Sequence, residues 1–502
     1  MARYKQYDYS QSMILPVILE QQIIPGTIEF AIHYLVDNDI DVSILDRRFS
    51  NDNTGRRAYD PRVLLKIVLL AYSRGIIHSR KIERVCRENI TFMALTCGQS
   101  PDHSTIAAFV SSMKDEIGPL FSDVLLTCEE MNLLGGTTFS LDGCKLPSNA
   151  SKEWSGKRKT LIRKQQKLEK KVSELMDRQI QADKEESDPT DLARVEKQIT
   201  RIRQNAERVR KFLDENEERK GRKGKEIKAN ITDNESANMK TSHGTLQGFN
   251  GQALVNENQI IIGAEAFGSG PDYDHLEPMV EIAKRNLENI GYSADYFADK
   301  TFLADSNYHC ESNLKYCDEE RLDAYIPDVN FRKRDERFET QSRHKPKRDR
   351  FTTSDFTYDD VRDVFICPAG RELTLRAKRV QTENRVHRRY VIKGDDCTGC
   401  QFFSKCLDKK RGGKRKHLHV RIEKKESFHH QMMEKIDTEE GRTKYGKRLG
   451  MVEPVFGNIR IHKGLDRFTL RGKIKVNIQW LLYCMINNIG KLCNHGYGYA
   501  VN

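Results

Sequence analysis

The chain has 502 residues, too many for one ordinary domain, so two to four are expected. Its 85 Lys and Arg outnumber 73 Asp and Glu, giving a net charge of +12, which favours a polyanionic partner, nucleic acid before membrane. The amino-terminal residues are too polar for a secretory signal, and no run approaches the ~20 apolar residues that span a bilayer. A cytoplasmic protein with no membrane partner is therefore expected, and in that compartment its 12 cysteines argue against disulfides.

Residues 1–130 read as all-helical. Asp60-Pro61 supplies an N-cap and a first-turn proline, and Val63, Leu64, Ile67, Val68, Leu70 and Ala71 follow as one apolar face. Gly75 ends that helix, Ser79 can cap the next, and Ile82, Val85 and Cys86 fill its inner face. A further helix starts at Ser104. Several short helices with tight turns suit a DNA-binding module of helix-turn-helix type, with Arg74, Arg80, Lys81, Arg84 and Arg87 as its basic residues. A helical bundle with a solvated basic face is the plain alternative.

Residues 131–156 open a second pattern. Thr137–Leu141 is β-rich and leads into Asp142-Gly143. Residues 157–222 are highly charged. Leu161, Leu168, Val172 and Leu175, then Leu192, Val195, Ile199, Ile202, Ala206, Val209 and Leu213, recur at spacings of a coiled-coil seam. Ser187-Asp188-Pro189 divides the two, so an inserted antiparallel helical hairpin is expected, each arm ~30 residues or ~45 Å long. Strand signals resume in residues 223–328. A hairpin turns about Glu257-Asn258, Leu276–Ile290 reads as an amphipathic helix, and Asp295–Ala298 reads as a short strand ending at Asp299. Leu303–Cys317 reads as helix and Ala324–Ile326 as strand. Residues 329–440 form a basic, Cys-rich second insertion, and residues 441–502 carry the last helices.

Three carboxylates delivered by two strands and a late helix can hold two divalent ions, the arrangement that phosphodiester chemistry needs. Asp142, Asp299 and Glu453 are the candidates; Asp295, Asp305 and Glu257 are rivals by spacing. Cys367, Cys397, Cys400 and Cys406, with one C-x2-C pair, suit a closed tetrahedral zinc site, for which His387, His417 or His419 could replace one ligand. Free thiols are the alternative. Lys409–Lys425, including Lys414, Arg415 and Lys416, is basic enough to engage several phosphates.

At this point the residues resemble a known family. Leu141-Asp-Gly143, Gln247-Gly-Phe-Asn-Gly-Gln252, Phe297-Ala-Asp-Lys-Thr-Phe302, Asp323-Ala-Tyr-Ile-Pro-Asp328 and Val452-Glu-Pro-Val-Phe-Gly-Asn-Ile-Arg460 resemble bacterial insertion-sequence transposases of the DDE class. Ala58-Tyr-Asp-Pro61, Ser79-Arg-Lys-Ile-Glu83 and Pro101-Asp-His-Ser-Thr-Ile106 resemble that family's helical DNA-binding domain. The resemblance implies a ribonuclease-H-like catalytic core; with the coiled-coil and zinc-binding insertions read above and the all-α DNA-binding domain ahead of it, a mixed α/β chain is expected. It implies Asp142, Asp299 and Glu453 as ligands for Mg²⁺ or Mn²⁺, and phosphate contacts from Tyr445, Arg448 and Arg460. It also implies binding to transposon-end and target DNA as a homodimer, in a bacterial cytoplasm. Three departures stand out: four residues separate Arg448 from Glu453 where three are usual, Arg460 stands where Lys is common, and Lys300-Thr301 replaces a small residue and Gly. A metal-dependent nuclease with the same core, and a non-enzymatic DNA-binding relic of a transposase, are the alternatives.

Overall fold

A computed structural model describes residues 16–48, 57–182, 189–221, 224–241, 244–338, 351–382, 385–394, 397–407, 415–421 and 427–498. The chain divides into two compact units. One comprises residues 1–308, 319–324 and 446–502, and the other comprises residues 309–318 and 325–445.

The first unit begins with helices. Helix α1 (Ile28–Asn38) is capped by Thr27, and α2 (Pro61–Ser73) by the Asp60 carboxylate, which accepts the Arg62 N–H at 2.8 Å. Gly75, at φ +71°, ends α2 as its sequence predicts. Helices α3 (Ser79–Glu88), α4 (Ile90–Leu95), α5 (His103–Ser111) and α6 (Ile117–Glu130) follow. Ser79 proves to be the first helical residue rather than a cap, whereas Asp102 caps α5 through the Ser104 and Thr105 N–H groups. Helices α1, α2, α5 and α6 pack against the helix Lys473–Asn494, whose buried residues include Trp480, Leu482, Tyr483 and Ile486.

The sheet of this unit comprises β1 (Thr138–Pro147), β2 (Ala237–Thr241), β3 (Gly244–Asn256), β4 (Ile261–Phe267), β5 (Thr301–Ala304) and β6 (Asp323–Tyr325). Its order is β2-β3-β1-β5-β6, with β4 also paired to β3. β1 runs antiparallel to β3 and parallel to β5, and β3 and β4 form the predicted hairpin. Helix α9 (Leu276–Asn289) buries Met279, Val280, Ala283 and Leu287.

Three expectations fail here, each for a local reason. β1 runs on through Asp142 to Pro147, because Cys144 and Leu146 continue the buried alternation. Asp295–Ala298 is a turn, not a strand: Phe297 is buried from it against Phe139, at 5.0 Å between ring centres. The strand is Thr301–Ala304, within a stretch that apolar content alone assigns partly to a helix; the helix, α10 (Glu311–Glu319), starts later.

Between β1 and β2 lie helices α7 (Arg158–Ala182) and α8 (Pro189–Glu215). They run antiparallel: the Arg158 guanidinium at the start of α7 donates to the Leu213 and Asn216 carbonyls at the end of α8, at 2.8 and 2.7 Å. Leu161, Leu175, Ile199, Ala206, Val209 and Leu213 of the predicted seam are buried. Ser187 and Asp188 of the expected break lie outside the described residues.

The second unit holds α10, most of α12 (Glu439–Gly446), and a five-stranded antiparallel sheet. Its strands are β7 (Thr357–Asp359), β8 (Val364–Ile366), β9 (Glu372–Thr382), β10 (Arg385–Ile392) and β11 (His417–Arg421). α11 (Phe428–Asp437) precedes α12. The chain then returns to the first unit with α13 (Arg448–Gly457), a π-turn over Asn458–His462, and α14 (Lys473–Asn494). The structure is thus mixed α/β, with a helical amino-terminal region and sheets behind it. No helix among the described residues is long and apolar enough to cross a membrane.

Candidate active site

Strand register builds the site. Phe139, Ser140 and Leu141 of β1 stand beside Phe302, Leu303 and Ala304 of β5 in a parallel pair. The next residue on each strand line is an aspartate: Asp142 and Asp305. Their charges interact, and that of Glu453 on α13 reaches Asp142 as well. Burial pushes the Asp142 carboxyl up to about 6; the Arg448 guanidinium opposes this, while Asp305 and Glu453 push further upward. Asp305 is also raised, mainly by burial, with Asp272 adding to the rise and the Asn307 N–H and Arg448 opposing it.

Arg448 is the first residue of α13 and is 6% exposed. Its Nη2 donates to Asp142 Oδ2 at 2.5 Å, and the other oxygen of that carboxylate accepts the Gly143 N–H at 2.8 Å. On the same face of β1, two residues on, Arg460 reaches the Cys144 thiol. The opposite face carries a buried polar network. Asp272 accepts from Asn250 Nδ2 at 2.6 Å, Gln252 Nε2 at 3.1 Å and Lys145 Nζ at 3.4 Å, and Tyr308 donates to Gln252. This network explains Gly143, whereas Gly251 is required by the ring packed on the other face. A Cβ on Gly143 would stand 2.0 Å from Gln252 Nε2, and one on Gly251 3.1 Å from the Trp480 ring of α14.

Asp299 is not brought to this site. It sits in a turn at φ +60°, its side chain is 70% exposed, and it pairs with Arg321 on the surface. The aspartate that follows β5 beside Asp142 is Asp305. The signal was present in the sequence: Phe139-Ser-Leu-Asp142 and Phe302-Leu-Ala-Asp305 share one pattern, and the parallel register aligns them.

The other predicted residues fall as follows. Tyr445 packs edge-on against Phe331 in the second unit, at 5.4 Å between ring centres. Arg80, Lys81 and Arg84 are exposed on α3, with Arg84 tied to Glu88 at 2.8 Å. Lys414 lies outside the described residues, and Arg415 is exposed. Lys416 has a structural part, donating to the Cys406 carbonyl at 3.0 Å. Cys367, Cys397, Cys400 and Cys406 line one small cavity of the second unit, and the Cys406 thiol feels the charges of the other three. The cysteines sit at tight turns: the Gly370 N–H donates to the Cys367 carbonyl at 2.8 Å, and the Cys400 N–H to the Cys397 carbonyl at 3.1 Å. Among the described residues, no group of three or more His, Cys, Asp or Glu side chains is gathered as a ready metal site.

Asp142 on β1 and Asp305 after β5 thus stand side by side, with Arg448 against the first. Family comparison adds to this. Residues 366–493 match the family described as Transposase DDE domain, and residues 17–112 match the Transposase domain (DUF772). Both matches are consistent with an insertion-sequence DDE transposase, a class that typically uses a divalent metal and acts on DNA. The first match includes Glu453, whereas Asp142 and Asp305 lie ahead of it. No curated protein and no solved structure matches the chain.

Proposed function

We propose that this chain is the transposase of an insertion sequence. It binds the terminal inverted repeats of its own element and catalyses metal-dependent cleavage and strand transfer, with Asp142, Asp305 and Glu453 as the acidic triad. The observation that carries this reading is the parallel register that aligns Asp142 with Asp305 while the charge of Glu453 reaches the same carboxylate. The strand order, with β1 antiparallel to β3 and parallel to β5, supports a ribonuclease-H-like core.

The residues fit a hard divalent cation. The donor set is all oxygen, and Asp142 is raised mainly by burial, with the charges of Asp305 and Glu453 adding to the rise. Asp142, Asp305 and Glu453 would hold Mg²⁺ or Mn²⁺, and the bound ions would stabilise the attacking and leaving oxygens as Lewis acids. The chain's own part is to fix the three carboxylates from two strands and a helix, and to bring Arg460 to the same face for the DNA backbone. The first nucleophile is water. The 3′-hydroxyl it releases then attacks target DNA. Both ends must be held together, which calls for a homodimer on DNA. The four cysteines line one small cavity of the second unit without being gathered as a ready site, and their shared lining is what supports a zinc staple there.

The test is cleavage and joining of a labelled transposon-end duplex with Mg²⁺. Asp305→Asn and Glu453→Gln should each lose at least about a thousandfold in both steps while end binding is kept, since removing one centrally placed charge-stabilising group costs ~10²–10³ or more. Asp299→Asn should stay within about threefold of wild type, because an exposed ion pair contributes ~0–1 kcal/mol. Full activity in Asp305→Asn, or its loss in Asp299→Asn, sinks this assignment. Cleavage without joining in the wild type would favour a nuclease instead.

A further inference from the structure

Both oxygens of Asp142 are already engaged, one by the Gly143 N–H and one by Arg448. Arg448 is buried and opens α13, where a positive charge opposes the helix dipole. Its placement there is not explained by helix stability. It is explained by its partner: a guanidinium beside clustered carboxylates supplies positive charge where those carboxylates would otherwise repel one another. Glu453 lies five residues further along the same helix, so the helix carries both a carboxylate of the cluster and that compensating cation.

We propose that Arg448 is an exchangeable stand-in for the catalytic cation. It holds Asp142 while the site lacks metal, gives it up when a divalent ion loads, and is thereby released to a DNA phosphate. The inference rests on the three-carboxylate reading. It makes Arg448 a competitor of the metal, not a support for it. A guanidinium that leaves a carboxylate can engage phosphate through the same planar fork, so metal loading and grip on the DNA backbone become one event. The pairing also keeps the acidic cluster compact in the metal-free protein.

The two roles predict opposite signs for one variant. Binding of Mn²⁺ to the full-length chain without DNA is measured from the free-ion EPR signal. Arg448→Met should tighten Mn²⁺ binding about tenfold, the change expected when a competing charge-assisted hydrogen bond is removed. Weaker or unchanged binding overturns the exchange and makes Arg448 a structural support. A second measurement needs no Arg448 variant. In wild type, modification of Arg448 by p-hydroxyphenylglyoxal, mapped by mass spectrometry in phosphate-free buffer, should rise several-fold when Mn²⁺ is added. Constant or falling reactivity overturns the proposal, and this readout decides alone if Arg448→Met does not fold. Asp142→Asn serves as the control for the site itself. If it binds Mn²⁺ like wild type, the three-carboxylate reading fails and the exchange falls with it. If it loses the ion while Arg448→Met gains nothing, only the exchange fails.

Discussion

Asp142 and Asp305 meet because two short strands carry the same burial pattern into the same register, so each chain emerges from the sheet at one level. A carboxylate there is costly to ionise, because burial penalises its charge. The same burial acts on His275, which is 1% exposed, is stacked on Phe267 and shares a hydrogen bond with Ser269 at 2.7 Å. Burial lowers its pKa to about 4. The folded chain therefore keeps His275 neutral, while the unfolded chain takes up a proton near pH 6.5. Stability is fully present above pH 6.5 and should decline as pH falls towards about 4, by up to roughly 3 kcal/mol. Denaturant melts of wild type and His275→Gln between pH 7 and 4.5 check this. The variant's stability should fall less steeply; parallel curves would show that His275 does not carry the linkage. Site residues were unevenly legible at this scale. Asp142 stands out because a β-rich run and a glycine bracket it. Asp299 reads as a strand-end carboxylate because Asp295–Ala298 looks like a strand, yet that run is a turn from which Phe297 is buried. The pairing of Arg448 with Asp142 joins residues 306 positions apart, and no local pattern announces it.

At the scale of elements, capped and periodic segments were read well. Asp60-Pro61, Gly75 and the hairpin about Glu257-Asn258 are local chemistry, and the structure follows them. β5 escapes a sequence reading because its three buried residues, Phe302, Leu303 and Ala304, have no period of their own, and their type is set by pairing with β1. The small sheet of the second unit draws on a modest core of Phe356, Phe365, Leu373, Tyr390, Ile392 and Leu418 beside the cysteines. A unit so placed gains from a crosslink, and four thiols around one cavity offer it. The chain purified without chelator should carry about one zinc per chain by mass spectrometry of the metal, since a Cys₄ site binds one ion. Cys400→Ser should lower that content and the melting temperature together. Zinc below about a tenth of an equivalent, with all four thiols reacting freely and the melt unchanged by chelator, would leave them as ordinary core cysteines.

Across the whole molecule, the net charge of +12 is the quantity that DNA responds to. Much of that charge is exposed and only loosely tied. On α3, Arg80 and Lys81 are open, and Arg84 is held by an exposed Glu88 one turn away, a pair that contributes little and releases easily. If this helix lies on the transposon end, each residue that neutralises a phosphate adds about 0.9 to the slope of log affinity against log salt. Replacing Arg80, Lys81 and Arg84 together by Ala should therefore lower the slope by roughly 2 to 3. The comparison is made by fluorescence anisotropy with an end duplex from 50 to 300 mM salt. A scrambled duplex of equal length separates two kinds of contact. Equal weakening on both duplexes means that α3 grips the backbone alone. A larger loss on the true end means that it also reads base edges, each good pair being worth ~1–3 kcal/mol of discrimination. An unchanged slope on both would place the DNA elsewhere on the basic surface and leave α3 as a solvated face.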